Sequence, residues 1–315
     1  MKKDIVEKRL EDHNDVFADI FNNLLFDGKD ILRAEDLISL PAEGHTRDMA
    51  GKIHENRCDV RKADGKHNVY RLICGIENQS GVDYTMPERV MGYDYAAYES
   101  QIKAIVDSNI EKKHPAITKR IHEDQKLAPV VTAVLYWGDE KWDGPVRFHE
   151  MLDFPTETED VIRPLVPDYP INLVEVRRLP LEVRKKLTSD FGLIAEYAAG
   201  KRDLDRLRML MRDRVHTIKH PEEFLELLSE VAKDKQYKEV IDKLREEKTE
   251  DVTMCVIADE LVNKGREQGV ERGSLLLMKA LLKDGRIQFE EAARYLDMPA
   301  DTLRTKLLEL ERELA

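Results

Sequence analysis

The chain has 315 residues, 42% of them apolar, which suits two ordinary domains with a sizeable core. A net charge of -12 and 36% charged residues exclude a general nucleic-acid coat protein, because binding phosphate over a broad face needs Lys and Arg; a local basic cleft stays open. The three cysteines, Cys58, Cys74 and Cys255, fit neither a disulfide framework nor a paired-cysteine zinc site, and a reducing cytoplasm is expected.

The N-terminal "MKKDIVEKRLEDHND" lacks the apolar core of a signal peptide. In "NDVFADIFNNLLF" (14–26), Phe17, Ile20, Phe21, Leu24 and Leu25 recur at helical spacing, and Asn14 is the expected N-cap. Residues 31–56 are mixed and polar, broken by "LPAEG". A strand is predicted from about Asn56 through "NRCDVRK", and "ADGKHN" (63–68) has turn composition. "VYRLICGIENQ" (69–79) is apolar on both faces, as a central strand is. A long helix is predicted over 85–110, with Pro87 tolerated in its first turn. "APVVTAVLYW" (128–137) is a further core strand, about half the ~20 residues needed to span a membrane, so no membrane partner is expected. Residues 153–170 read as loop, 171–179 as a fourth strand, and everything after Pro180 as helix. The expected organisation is an α/β domain over 1–180 and a helical region over 181–315.

The chemistry concentrates where the 69–79 strand ends. Side chains two apart on a strand share a face, so Glu77 and Gln79 point together, with the backbone carbonyl of Asn78 between them. Asp59 alternates with Cys58 and Val60 in the preceding strand, and a hairpin would let it meet Glu77. Two carboxylates and a carbonyl are hard oxygen donors suited to Mg2+ or Mn2+. An ion so held polarises a phosphoryl oxygen and acidifies an attacking water. A turn at Asp64-Gly65 would put Asp59 opposite Tyr70, with Glu77 ~23 Å away at ~3.3 Å per residue. The pairing therefore requires a longer loop with its tip near Lys66–Asn68, against the local Asp-Gly signal. The bland alternatives are a surface Asp59 paired with Arg57 or Arg61, and a Glu77 that merely ends its strand.

The spacing Asp, gap, Glu-x-Gln resembles the PD-(D/E)XK nuclease pattern, with Gln where that pattern has Lys. More narrowly, "NDVFADIFNNLLF", "RCDV", "GIENQSGVDYTMPERVMGYDYAAY", "PVVTAVLYWG" and the "LP" to "SDFGLIAEY" interval resemble the recombination-promoting nuclease/putative transposase (YhgA-like) family over about 14–200. The resemblance implies an α-β-β-β-α-β restriction-endonuclease-like core with a mixed central sheet. It also implies metal-dependent DNA cleavage and a link to recombination or mobile elements. It carries metal binding onto Asp59, Glu77 and the Asn78 carbonyl, and catalysis onto Asp59, Glu77 and Gln79. A neutral amide at 79 supplies no charge. Arg89 on the following helix is the first candidate for that charge; Tyr93, one turn on, shares its face; Asp15 is a candidate additional acid. A catalytically silent DNA- or protein-binding member of the same fold is the competing expectation.

Nothing else in the chain has a chemical signature. There is no phosphate-binding loop, nucleophile elbow or dinucleotide fingerprint, so no nucleotide cofactor is expected. His216 and His220 are four apart, but Pro221 follows and nothing completes a zinc set. Gly265, Gly269 and Gly273 form a bare stripe that suits a hinge or a helix contact within a homo-oligomer. Residues 285–313 have a helix-turn-helix outline, in which Ala292, Ala293 and Leu296 pack against Leu303, Leu307 and Leu310. Its slightly acidic second helix favours packing over base reading.

Overall fold

The computed structural model describes residues 2–41, 43–47, 53–66, 69–112, 121–200, 218–232 and 270–314. The backbone contacts divide the chain into one compact unit of Met1–Arg214 with Ile218–Lys235, and a second of Val215–Thr217 with Gln236–Ala315. In the first unit, helices α1 (Lys2–Glu11) and α2 (Asn14–Leu24) precede strands β1 (Leu37–Ser39), β2 (Glu43–Arg47), β3 (Ile53–Arg57), β4 (Val60–Lys66) and β5 (Val69–Gln79). Helix α3 (Met86–Glu111), β6 (Val130–Tyr136) and β7 (Asn172–Glu175) follow. The fold is mixed α/β. Its five-stranded sheet has the order β1-β4-β5-β6-β7, while β2 and β3 pair separately and lie against α3. The β1–β4 and β4–β5 pairs are antiparallel; the β5–β6 and β6–β7 pairs are parallel, which the α3 crossover between β5 and β6 permits.

Both faces of the sheet are covered, which is why β5 and β6 are apolar on both sides. On one face Val134 and Tyr136 of β6 pack with Cys58, Met86, Val90, Tyr93 and Trp142. On the other, Trp137 meets the edge of Phe191 with ring centroids 5.7 Å apart, and Phe17 and Phe21 of α2 are fully buried. The helix Asp190–Ala199 and the helix Pro221–Ala232 belong to this unit, the latter against α1.

Several local expectations change. The strand foreseen from Asn56 is two strands, because β3 ends at Arg57, β4 begins at Val60, and Cys58 and Asp59 fall between them. The Ala63–Lys66 stretch, foreseen as turn, is strand. The hairpin tip falls after Lys66 as expected, but no long loop is needed: Lys66 pairs with Val69, leaving only 67–68, which lie outside the described residues. Asn14 is not the N-cap of α2; His13 holds that position, and the Asn14 amide donates instead to the carbonyls of Ala34 (3.0 Å) and Leu37 (3.1 Å), which ties α2 to β1. The fourth strand is shorter than expected, its end at Val176–Arg178 being a 3-10 turn. Short helical turns interrupt the 153–170 loop.

Among the described residues after β7 every element is helical. In the second unit a helix over 270–283 precedes helices Phe289–Tyr295 and Ala300–Leu314. Ala292, Ala293, Leu303 and Leu310 are buried together, with Leu296 and Leu307 against them. The turn between the last two helices places Asp297 in the left-handed region (φ 49°) ahead of Pro299. Gly273 lies in the 270–283 helix; Gly265, Gly269, His216 and Cys255, and the helices expected over 203–215 and 237–248, lie outside the described residues. No helix among the described residues is long and apolar enough to cross a membrane.

Candidate functional site

The β4–β5 register decides whether the two carboxylates can meet. Val60 pairs with Ile76, and the Asp59 N–H donates to the Ile76 carbonyl at 2.8 Å, so Asp59 falls opposite Glu77. That outcome depends on an irregularity near the tip. Lys66 pairs with Val69 and Gly65 with Tyr70, but Asp64 pairs with Leu72, which leaves Arg71 as an extra residue in a bulge. Without the bulge Asp59 would oppose Ile76, and Glu77 would be displaced by one position. Since strand side chains alternate with a period of two, such a slip exchanges faces. Arg71 is anchored by donating to the buried Asp64 carboxylate at 2.8 Å.

Glu77 and Gln79 lie on the α3 face. Glu77 Oε1 accepts from the Gln79 amide (2.9 Å), from Arg89 Nη2 (2.5 Å) and from the Tyr93 hydroxyl (3.3 Å). Arg89 also reaches Asp83 (2.6 Å) and the Tyr93 oxygen (2.9 Å). Glu77 Oε2 is buried and has no hydrogen-bond partner. Burial first, and then the neighbouring Asp59 carboxylate, push the Glu77 carboxyl up to about 8, against the opposing pull of Arg89, Gln79 and Tyr93.

Both Asp59 oxygens are engaged. Oδ2 accepts the Asn78 N–H at 2.7 Å, and Oδ1 meets Lys8 Nζ of α1 at 2.7 Å. In an extended strand a residue's N–H and C=O point to the same edge, so the Asn78 carbonyl faces the Asp59 side as well. The Asn78 side chain turns to the other face. It accepts from the Trp137 indole (2.8 Å) and donates to Glu11 Oε2 (2.6 Å), which fixes the β5 end between β6 and α1. Glu11 is fully buried, and its carboxyl is held well above the ordinary range by burial, then by Glu7. A cleft of about 290 Å³ opens beside Asp59, bordered by Lys8, Arg9, Asp12, Ser39 and Arg61.

The structure thus brings together Asp59, Glu77, Asn78, Gln79, Arg89 and Tyr93. It does not bring Asp15, whose carboxylate is held by His220 (2.9 Å) and Lys219 (3.3 Å), with His13 stacked on His220 at 3.6 Å. Asp15 fastens the helix Pro221–Ala232 to α2, so its foreseen role as an additional acid is withdrawn, and His220 is structural. The acid that α1 does send toward β5 is Glu11. Lys8 and Glu11 were missed because the first thirteen residues read only as an absent signal peptide. The apolar i, i+4 pair Val6 and Leu10 was the available signal for a helix there.

Among the described residues no three His, Cys, Asp or Glu side chains are grouped so as to hold a metal by themselves. The oxygens here that could hold a divalent ion are those of Asp59, the unpartnered Oε2 of Glu77 and the Asn78 carbonyl. Waters and a phosphate oxygen would complete the set, as is usual for Mg2+.

Residues 57–207 match the family model described as "Putative transposase, YhgA-like". The matched segment begins two residues before Asp59 and includes the whole of β4, β5, α3, β6 and β7. It leaves α1 and α2 outside, so the likeness seen from residue 14 onward is matched only in part. The description points to a role connected with mobile elements or recombination. No curated protein and no solved structure matches the chain.

Proposed function

We propose that the protein is a divalent-metal-dependent DNA endonuclease of the PD-(D/E)XK type, acting in recombination or on mobile elements. The observation that carries this reading is the register that sets Asp59 opposite Glu77, with the Asn78 carbonyl on the same edge. Mg2+ or Mn2+ would be held by Asp59, Glu77 and that carbonyl. When bound, it would supply Lewis acidity toward a phosphoryl oxygen and an attacking water. The chain's own residues have separable tasks. Gln79 donates to Glu77 and can turn its amide to orient the water. Arg89 and Tyr93 fix the Glu77 carboxylate from α3. Asn78, clamped by Trp137 and Glu11, keeps the intervening carbonyl in place.

The YhgA-like match supports a nucleic-acid substrate, and DNA is the substrate consistent with a transposase description. A second reading is favoured by one residue. Gln79 stands where the nuclease pattern has a lysine, and a catalytically silent DNA-binding protein would show that replacement.

Supercoiled plasmid incubated with the full chain and Mn2+ or Mg2+ tests the choice. Wild-type protein nicks the plasmid and EDTA stops it. Asp59→Ala and Glu77→Ala each lower the rate more than ~100-fold, beyond the loss typical of residues that only support a metal ligand. Equal nicking by all three proteins removes the enzymatic reading. Retarded DNA in a Ca2+ gel shift without any nicking selects the silent binder.

A further inference from the structure

We propose that Lys8 supplies the positive charge that Gln79 does not. On this account its ammonium leaves Asp59 when the metal is held, and binds the phosphate undergoing cleavage. The inference rests on the nuclease reading above and assigns the site a residue outside the matched 57–207 segment.

The other cations near the site are already committed. Arg89 lies between Glu77 and Asp83 and also reaches the Tyr93 hydroxyl. Arg61 donates to the backbone carbonyl of Tyr93. Lys62 is buried, with its Nζ on Asp12 (2.8 Å) and Ser39 (2.9 Å). Lys8 differs in position. Its Nζ is 2.7 Å from Asp59 Oδ1, one ligand atom from where an ion would sit, and its side chain is 33% exposed. It borders the same cleft as Asp59, and the cleft, at about 290 Å³, is open to an extended ligand.

Electrostatics then requires a rearrangement. A divalent cation held by Asp59 would repel an ammonium on the same carboxylate, so Lys8 would give way. Its flexible stem lets Nζ move within the cleft without moving α1. An incoming phosphodiester brings the negative charge that the displaced ammonium then meets. In the hydrolysis a water oxygen forms a new bond to phosphorus and one ester P–O bond breaks. One water proton ends on the departing oxygen and the other stays on the phosphate or passes to solvent. Lys8 takes no part in the proton transfers; it stabilises charge growing on the phosphoryl oxygens in the transition state.

Three full-length variants test this: Lys8→Met, Gln79→Lys and the double variant Lys8→Met/Gln79→Lys. Each is assayed for plasmid nicking and, without DNA, for Mn2+ affinity by calorimetry, with circular dichroism confirming the fold. Lys8→Met is expected to lower the nicking kcat by ~100-fold, the scale of losing one transition-state donor. The same variant binds Mn2+ more tightly than wild type, because the competing ammonium is gone. The double variant recovers at least ~10-fold of the lost rate by placing an ammonium at the other end of the site. A rate for Lys8→Met within about threefold of wild type, an Mn2+ affinity that falls with the rate, or no recovery by the lysine at 79 overturns the role of Lys8. If wild-type protein nicks DNA and Lys8→Met does so equally, only this role falls. If wild-type protein does not nick DNA, the role and the nuclease reading fall together.

Discussion

Asp19→Ala is expected to cost about 3–5 kcal/mol of stability, the range for uncovering a buried, hydrogen-bonded charge cluster. Asp19 lies on the inner face of α2, and its carboxylate is the meeting point of two sequence-distant segments. It accepts from the backbone amides of Thr188 (3.1 Å) and Ser189 (3.0 Å), and from the hydroxyls of Thr188 (3.1 Å) and Ser189 (2.6 Å). The Asn23 amide adds a further bond at 2.9 Å. Thr188 and Ser189 immediately precede the helix Asp190–Ala199, so a side chain from α2 does what a local cap would otherwise do. Alanine leaves the buried Ser189 amide and hydroxyl without their acceptor and uncovers the Thr188 amide. Asparagine keeps one oxygen and should lose roughly half as much. Urea denaturation should show a lower midpoint with an unchanged slope; a loss below about 1 kcal/mol would mean that water replaces the carboxylate. The damage should also reach the candidate site. Phe191 of that helix packs on Trp137, and the Trp137 indole holds Asn78.

The parts of the fold that were legible in the sequence are those whose burial matches their periodicity. β5 and α3 came within a residue of their observed limits, because "VYRLICGIENQ" is buried on both faces and Pro87 marks a helix start. The Asp59–Glu77 pairing followed from a length argument about the hairpin, and that argument located the tip. It could not foresee the bulge at Arg71. The extra residue makes the pairing possible without a longer loop, and its only sequence sign is an Asp-Gly that composition assigns to a turn. Asp64 and Gly65 sit inside the strand because the buried Asp64 carboxylate finds a partner in the exposed Arg71, so this cross-strand contact overrides the local turn preference.

The helical contribution was harder to read. α1 has few apolar residues in "KKDIVEKRLE", so its periodicity is weak. Packing against the helix Pro221–Ala232 and against β5 recruits it, neither being adjacent in sequence. The result is that Lys8 and Glu11 reach the site while Asp15, on the more plainly amphipathic helix, goes to His220. A sequence pattern indicates which face of a helix is buried, but not which carboxylate at its margin meets a distant strand.

Glu77→Gln should make the metal-free protein more stable at pH 8 and leave it no more stable at pH 4. The Glu77 carboxyl, pushed up to about 8 by burial and Asp59, keeps its proton in the folded state after the unfolded chain has released it. Between the ordinary carboxylate value of ~4.3 and about 8 the folded protein therefore binds more protons than the unfolded one, and stability falls as pH rises through that window. At about 1.4 kcal/mol per unit of displacement the effect is on the order of a few kcal/mol. Glutamine removes the titration while keeping an oxygen for Arg89, so its advantage should grow from pH 5 to 8 on the order of that amount. Glu11, raised in the same direction, leaves a residual slope in both proteins. Urea midpoints at pH 4, 6 and 8 check the sign, and parallel curves for the two proteins would show that Glu77 is already ionised in the fold. Mn2+ supplies the complementary measurement. Added at pH 8 it should raise the melting temperature of wild-type protein, because the ion takes over the neutralising task of the proton at Glu77. It should do little for Glu77→Gln, which has lost both the charge and the ligand. An equal rise in the two proteins would place the ion away from β5.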